Sequence, residues 1–379
     1  MRGRIQLPLN QTAESSIEVS QTPFSAFVPS IQVRGGLRLA LSTLEKSLRV
    51  IRFFPPARAL VGQEAENKLL SLRLFYCAQD ELGLIGSRGC VEEAVRLVET
   101  RESFPSIWIM EGAAYAHARS TSSIRCASVP EQHYIPLHVG AGMAFGESAV
   151  DNLSARPGRQ DLARLLEGLL ARASDNARPG WENAVIEPLG LIVRMKRPDL
   201  LRAFGNAAGA VSAHTRALFW HGAGRGLYFS PIAMAPLPDA HGRALDIAFR
   251  EVAEPGDREN TVAGYCWAVT LVNLRYPEPV LSLLTRCVEL GVGELFTNGF
   301  VSALMAWKHM VPTDELWGAR YTRPFSGANS PATWQQFAAG PAQAAFDTLL
   351  PGLLKNNAVA KLFTFRTNAE LRQLAGITQ

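Results

Sequence analysis

The sequence predicts an all-α fold built from duplicated four-helix units, arranged as a helical repeat or a pseudo-symmetric bundle. Apolar residues recur with helical spacing along most of the chain, as at Val91, Ala94, Val95 and Val98. Few segments show the strict alternation of polar and apolar residues that is typical of strands. Two long stretches also carry similar segments in the same order, which indicates an internal duplication.

The composition is that of a globular protein with a substantial core. Of the 379 residues, 47% are hydrophobic and 19% are charged, and the formal net charge is +4. This balance excludes wholesale disorder, and so small a charge gives no indication of a nucleic-acid partner. Because we recognise neither a secretory signal nor a stretch apolar enough for a transmembrane segment, we expect a cytoplasmic protein.

The pattern divides the chain into four segments. They are an N-terminal arm (1–36), an N-terminal helical segment (37–90), a repeat-containing helical domain (91–310) and a C-terminal helical segment (311–379). Within the last segment we expect a helix from Ala332 to Leu354. It should break at Gly340-Pro341, since proline has no amide hydrogen to donate to a helix.

The repeat domain opens with an amphipathic helix at residue 91 and an apolar helix after Pro105 that carries Glu111. These two helices resemble the second half of an earlier unit. Each complete unit then begins with a Gly-Ala-Gly segment, and the first glycines, Gly140 and Gly222, are 82 residues apart. A Leu-rich amphipathic helix follows, then an apolar helix beginning at Glu182 or Glu259, and a short helix closes the unit.

The glycines of these segments have a structural explanation. Gly142 and Gly146 are four residues apart on one helix face, as are Gly222 and Gly226, so a neighbouring helix could approach closely. A ligand approaching the bare backbone is the alternative. Nucleotide binding is disfavoured because neither the dinucleotide fingerprint nor a Walker A sequence is present, and we expect no bound cofactor.

Buried titratable residues are the candidates for chemistry. Glu111, Glu147 and Glu187 lie within apolar helices, where a carboxylate needs a partner or a raised pKa. His138 and His221 lie two residues and one residue before the Gly-Ala-Gly segments, where each is either a packed core residue or faces a cavity. We take Glu111, His138 and His221 as the acid–base candidates. No histidine pair has the spacing of metal ligands, so no metal site is predicted.

Aromatic residues cluster around the same helices. They either fill the core or line a cavity suited to an elongated apolar ligand. The predicted ligand-binding residues are Trp108, Tyr115, Gly140, Gly142, Phe145, Glu147, Glu187, Trp220, Gly222, Gly224, Tyr228 and Trp267.

Three blocks of the sequence resemble the bacterial DUF1702 family. They are Glu111-Gly112-Ala113-Ala114, His138-Val139-Gly140-Ala141-Gly142 and the glycine-rich stretch 222–229. The likeness covers roughly residues 30–345. Members of that family occur in enediyne polyketide and other natural-product biosynthetic clusters. The resemblance implies a biosynthetic context but no catalytic residues.

Two functions follow as hypotheses. The first is an accessory protein of bacterial specialised metabolism, in a polyketide or enediyne-like pathway. It would bind a hydrophobic polyene- or polyketide-like molecule, and as an enzyme it would be a cofactor-free cyclase or isomerase. The second is a non-catalytic helical-repeat scaffold that docks pathway enzymes or forms a homodimer. A closed pocket around His138 and His221 would favour the first, and a solid interior would favour the second.

Overall fold

The structure, a computed structural model, describes most of the chain and is all-α. The described residues are 40, 42–44, 46–47, 63–78, 91–124, 129–230, 233, 240–325 and 330–377, and they contain no strand. The predicted all-α class is therefore confirmed. The predicted N-terminal arm and most of the segment 37–90 lie outside the described residues.

The first half of the described chain, from residue 63 to residue 228, forms nine α-helices. They are α1 (Gln63–Tyr76), α2 (Val91–Val98), α3 (Ser103–Thr121), α4 (Tyr134–Asp151), α5 (Arg159–Asn176), α6 (Glu182–Ile186), α7 (Pro188–Lys196), α8 (Leu201–Val211) and α9 (Ala213–Tyr228). Short 3₁₀ turns span Glu131–His133 and Pro198–Leu200.

The second half continues in the same way. Its α-helices are α10 (Ala240–Glu251), α11 (Pro255–Val272), α12 (Pro277–Glu289), α13 (Gly293–Met310), α14 (Trp317–Tyr321), α15 (Pro331–Trp334), α16 (Gly340–Ala344), α17 (Leu350–Lys355) and α18 (Asn368–Leu374). Two π-helical turns cover Gln335–Ala339 and Ala345–Leu349, and a 3₁₀ turn covers Val359–Phe363.

An inner layer of helices is held together by glycines. It comprises α3, α4, α6 with α7, α9, α11 and α13, each packed on the next. At every step a Cβ added to a glycine would collide with a carbonyl oxygen of the neighbouring helix, so the backbones are in close contact. The glycine and carbonyl pairs are Gly140 with Glu111, Gly142 with Val185, Gly190 with Phe219, Gly222 with Glu187, Gly224 with Thr261, Gly264 with His221 and Gly299 with Ala263.

The inner helices α4, α6 with α7, and α9 run in the same direction. Gly142 meets Val185 and, further along, Gly146 meets Leu189; Glu187 meets Gly222 and, further along, Arg194 meets Gly226. The chain must therefore return between these helices, and α5 and α8 make these returns on the outside. Their amphipathic pattern follows from this position, since one face packs on the inner layer. On α5, for example, Leu162 and Leu166 are buried.

The inner layer closes on itself at the end of α13. Trp307 packs against Phe104 at the start of α3, with ring centroids 6.3 Å apart. His309 stacks on Trp181 at 5.5 Å, and its Nε2 lies 3.1 Å from the carbonyl oxygen of Glu131. The last inner helix is thereby joined to the first ones.

When α6 and α7 are taken as one inner helix, the two predicted repeat units, α4 to α8 and α9 to α12, have the same helix order. In each, the first glycine of Gly-Ala-Gly contacts the preceding inner helix and the second contacts the following one: Gly140 and Gly142 in one unit, Gly222 and Gly224 in the other. This correspondence agrees with a duplication. The duplication itself stays a prediction from the sequence.

A C-terminal strap, residues 359–366, crosses the beginnings of several inner helices. Three asparagines hold its backbone: Asn183 donates to the carbonyl of Ala360 (3.2 Å), Asn260 accepts from the amide of Phe365 (2.8 Å), and Asn298 donates to the carbonyl of Arg366 (2.5 Å). Phe363 packs on Trp267 with centroids 6.2 Å apart. The strap is thus packed directly on the repeat domain.

The predicted helix break at Gly340-Pro341 is wrong. The chain stays helical from Pro331 to Lys355, and a π-helical turn precedes each of the two prolines, Pro341 and Pro351. A proline inside a helix lacks the amide donor and its ring clashes with the carbonyl four residues earlier. The wider π turn accommodates both defects without ending the helix.

Candidate functional site

A cluster of charged side chains lies inside the inner layer, centred on Glu187. This residue stands between α6 and α7, where Pro188 lacks the amide hydrogen of a continuous helix. Its carboxylate is completely buried and accepts two hydrogen bonds from α9. His221 Nδ1 donates to Oε1 at 2.7 Å, and Arg225 Nη1 donates to Oε2 at 2.6 Å. His221 and Arg225 are four residues apart, so they share one face of α9.

Glu187 is held in its ionised form. Burial alone would raise the pKa of this carboxyl, but the guanidinium of Arg225 and the imidazole of His221 outweigh burial and place the pKa below its ordinary value. An ionised Glu187 can only accept hydrogen bonds, so the proton of its bond with the imidazole is on Nδ1. The carboxylate therefore fixes both the ring orientation and the tautomer of His221.

The opposite nitrogen of His221, Nε2, has no hydrogen-bond partner among the residues that the structure describes. A carboxylate that holds Nδ1–H and leaves Nε2 open is the arrangement by which a catalytic histidine is oriented to take or give a proton. The geometry of Glu187 and His221 is thus that of an oriented acid–base pair.

Arg225 links this pair to an aromatic wall. Its guanidinium carbon lies 4.5 Å from the ring centroid of Trp267 on α11, within the range of a cation–π contact. Its Nε is buried and has no hydrogen-bond partner in the part of the chain that the structure describes. The positive charge is therefore balanced by one carboxylate and one aromatic face.

Glu111 on α3 lies within electrostatic reach of the same cluster. Its side chain is 7% exposed, and among the described residues its carboxyl forms no hydrogen bond or ion pair. Burial raises its pKa to about 7, with Arg225 opposing the shift and the negative charge of Glu187 adding to it. A carboxyl whose pKa lies near neutral pH is suited to general acid–base catalysis.

His138 has a different environment. Its Nδ1 donates to the carbonyl of Tyr134 (2.6 Å), its Nε2 accepts from the amide of Arg178 (3.1 Å), and its ring stacks on Trp181 at 5.7 Å. Burial lowers its pKa to about 4, so the ring is neutral. Of the three predicted acid–base residues, His221 belongs to the interior cluster, and Glu111 lies within electrostatic reach of its Glu187 and Arg225. The structure places His138 elsewhere, with both nitrogens engaged.

The four predicted ligand-binding glycines contact helix backbone. The space beside Gly140, Gly142, Gly222 and Gly224 is filled by carbonyl groups of neighbouring helices. The helix-packing explanation accounts for all four.

Two further predicted residues, Tyr115 and Glu147, form a second polar group at the ends of α3 and α4. Glu147 accepts hydrogen bonds from the Tyr115 hydroxyl and from Arg119, and Lys196 lies 3.0 Å from its other oxygen. This buried carboxylate therefore has the partner that the sequence analysis required of it, in the form of two cations. Burial, followed by the negative charge of Glu147, raises the pKa of Tyr115.

The remaining predicted aromatics occupy separate positions. Trp108 and Trp220 are buried, and their indole nitrogens have no hydrogen-bond partner among the described residues. Tyr228 ends α9, where its ring lies 3.9 Å from the ammonium of Lys68 and its hydroxyl accepts from Asn273 at 2.7 Å. Of the predicted aromatics, Trp267 contacts the interior cluster through Arg225.

Phe145 lines a groove between α4 and α5. The groove has a volume of about 550 Å³ and is open to the outside. It is lined by none of Glu111, Glu187, His221 or Trp267. The groove and the interior cluster are therefore two different places on the protein.

Sequence reasoning missed Arg225 as a site residue. Its signal was available, because an arginine four residues after a histidine in an otherwise apolar helix must share that buried face. The pairing of His221 with Glu187 could not be read in the same way, since the two side chains come from different helices.

Among the described residues, no helix is both long enough and apolar enough to cross a membrane, and no group of three metal-ligating side chains is present. No family model matches the chain, and neither the curated proteins nor the solved structures include a significant match. The resemblance to the DUF1702 family accordingly stays a prediction.

Proposed function

We propose that this chain is a cytoplasmic accessory protein of bacterial specialised metabolism that binds an apolar intermediate and moves protons on it with the interior cluster. One observation carries the proposal: His221 is oriented by the ionised Glu187 and leaves Nε2 open, and the Glu187 and Arg225 of this cluster lie within electrostatic reach of Glu111. The resemblance to the DUF1702 family supports the biosynthetic context.

The chemistry suited to this cluster is a cofactor-free isomerisation or cyclisation of a polyene- or polyketide-like molecule. One group removes a proton from the substrate and the other returns one, so no electron acceptor is needed. His221 through Nε2 and Glu111 through its carboxyl are the two groups. Arg225 and Trp267 stabilise the charges that develop, because electrostatic interactions are strong in an interior that excludes water.

The proposal is tested in the organism that makes the protein. Its gene is replaced by versions encoding Glu111→Gln or His221→Gln, and extracts are compared by liquid chromatography and mass spectrometry. Both changes keep side-chain volume, and a glutamine at 221 can still donate to Glu187. We expect loss of the final product and accumulation of a precursor, for an isomerase one of identical mass.

The matched control is Glu182→Gln. Glu182 begins α6, accepts a hydrogen bond from the Gly180 amide at 3.3 Å, and is not part of the cluster. This strain should make product at the wild-type level. Melting curves of the purified variants show whether each is folded, and full product formation by a folded Glu111→Gln, His221→Gln double variant would refute the proposal.

The second candidate function is a non-catalytic scaffold that docks pathway enzymes or dimerises. The observation in its favour is that the Gly-Ala-Gly segments are used entirely for helix packing. It predicts that protein purified from the producing organism carries no small molecule in native mass spectrometry. It also predicts that the Glu111→Gln strain keeps its product.

A further inference from the structure

We propose that the groove between α4 and α5 binds a molecule with an apolar chain and one carboxylate. The inference rests on the groove alone and does not depend on chemistry at the interior cluster. A volume of about 550 Å³ is in the range of small-molecule sites, roughly 300–1,000 Å³.

The floor of the groove is apolar. Phe145 and Leu169 are buried at its base, and Leu153 and Leu165 are half-buried along its walls. A hydrocarbon chain placed here would remove apolar surface from water on both sides, which is the main favourable term for such a ligand.

One cation in this groove has no acidic partner. The guanidinium carbon of Arg172 lies 5.2 Å from the ring centroid of Phe145, and among the described residues Arg172 forms no ion pair. The other arginine of the lining, Arg164, is already paired with Asp161 at 2.6 Å. An unpaired guanidinium beside an apolar floor matches a carboxylate on an apolar chain, because arginine binds carboxylates through parallel hydrogen bonds.

Gly168 provides a way to close the groove without disturbing the fold. It lies on α5, lines the groove, and a Cβ added to it would meet nothing within 4 Å. A tryptophan at this position would fill the groove from its open side. An alanine would leave the groove nearly unchanged, so Gly168→Ala is the matched control.

The experiment uses the full-length protein and the fluorescent fatty acid cis-parinaric acid, with its methyl ester as a probe that lacks the carboxylate. We expect saturable binding of the acid by the wild type and by Gly168→Ala, with dissociation constants within about twofold of each other, and no saturable binding by Gly168→Trp. Arg172→Met should weaken binding of the acid roughly tenfold, about 1.4 kcal/mol, and leave binding of the ester unchanged.

Arg164→Met serves as the charge control and should change binding of the acid by less than twofold, because Arg164 is paired and exposed. Three results would overturn the proposal. They are absence of binding by the wild type, undiminished binding by Gly168→Trp, and an equal loss of acid and ester affinity in Arg172→Met.

Discussion

The same substitution, glycine to alanine, should have opposite effects at two helical positions of this protein. At Gly168 on the outer helix α5, a new Cβ meets nothing within 4 Å. At Gly222 on the inner helix α9, it would collide with the carbonyl oxygen of Glu187 and lie 3.0 Å from the carbonyl carbon of that residue and 3.2 Å from the amide nitrogen of Leu191. All three atoms are backbone, so α7 and α9 would have to separate.

The magnitudes follow from two terms. Alanine is favoured over glycine in a helix by about 1 kcal/mol, and this gain is available in full at position 168. At position 222 two effects oppose this gain in helix propensity. Overpacking typically destabilises a protein by about 1–3 kcal/mol, and by more where backbone must move. The hydrogen bonds of Glu187 with His221 and Arg225 are also strained. We therefore expect Gly168→Ala to stabilise by up to about 1 kcal/mol and Gly222→Ala to destabilise by about 2 kcal/mol.

Thermal and urea unfolding followed by circular dichroism measure both effects. The melting temperature should rise slightly for Gly168→Ala and fall for Gly222→Ala. A Gly222→Ala variant as stable as Gly168→Ala would mean that the inner helices are not in backbone contact, and the packing argument would fail at every glycine of the inner layer.

Three further predictions concern buried polar groups. Glu187→Gln should destabilise the protein by about 3–5 kcal/mol, because it leaves the charge of Arg225 buried without a counterion. Adding Arg225→Met should recover part of this loss. If urea unfolding shows that the effects of the two substitutions simply add, the two residues are not paired. Burial raises the pKa of Glu111 to about 7, so the protonated carboxyl contributes stability that is complete below about pH 4.5 and is lost as the pH rises through 7. Between pH 5 and 8 the wild type should therefore lose roughly 2.5 kcal/mol relative to Glu111→Gln, and parallel pH profiles of the two proteins would contradict this. Asn260→Ala removes the acceptor of the Phe365 amide, so hydrogen exchange in the C-terminal strap should become faster. Mass spectrometry measures this exchange. Unchanged exchange in the strap would show that other contacts hold it.

Local patterns in the sequence were sufficient to predict that the chain is helical and which types of residue are candidates for chemistry. The spacing of Leu162, Leu166 and Leu169 predicted the buried face of α5, and the apolar setting of Glu187 and Glu111 predicted buried carboxylates. Both predictions depend only on residues within one helix. Periodicity and burial are properties that a single element carries in its own sequence.

Contacts between helices could not be predicted in this way. His138 and His221 appear equivalent beside their Gly-Ala-Gly segments, yet one is two residues and the other one residue before the glycine. A shift of one residue rotates a side chain by about 100° around the helix, so the two histidines face different neighbours. His221 points to Glu187, and His138 points to the carbonyl of Tyr134.

The break predicted at Pro341 failed for a related reason. Proline predicts a defect in an α-helix, but the sequence does not say whether the chain ends the helix or widens one turn. The segment stays helical through Pro341 and Pro351, and Ala338, Ala339 and Ala342 are buried on either side of Pro341. Packing of this kind favours the wider turn over a break.

The proposed chemistry depends most on Glu111 being a buried, unpaired carboxyl that titrates near neutrality beside the Glu187–His221–Arg225 cluster. Infrared difference spectra recorded between pH 4 and 9 measure this directly, because the protonated carboxyl has its own C=O stretching band. We expect one carboxyl band that disappears with a midpoint near pH 7 in the wild type and is absent from Glu111→Gln. A midpoint near the ordinary glutamate value of 4.5, or an identical band in Glu111→Gln, would contradict the account.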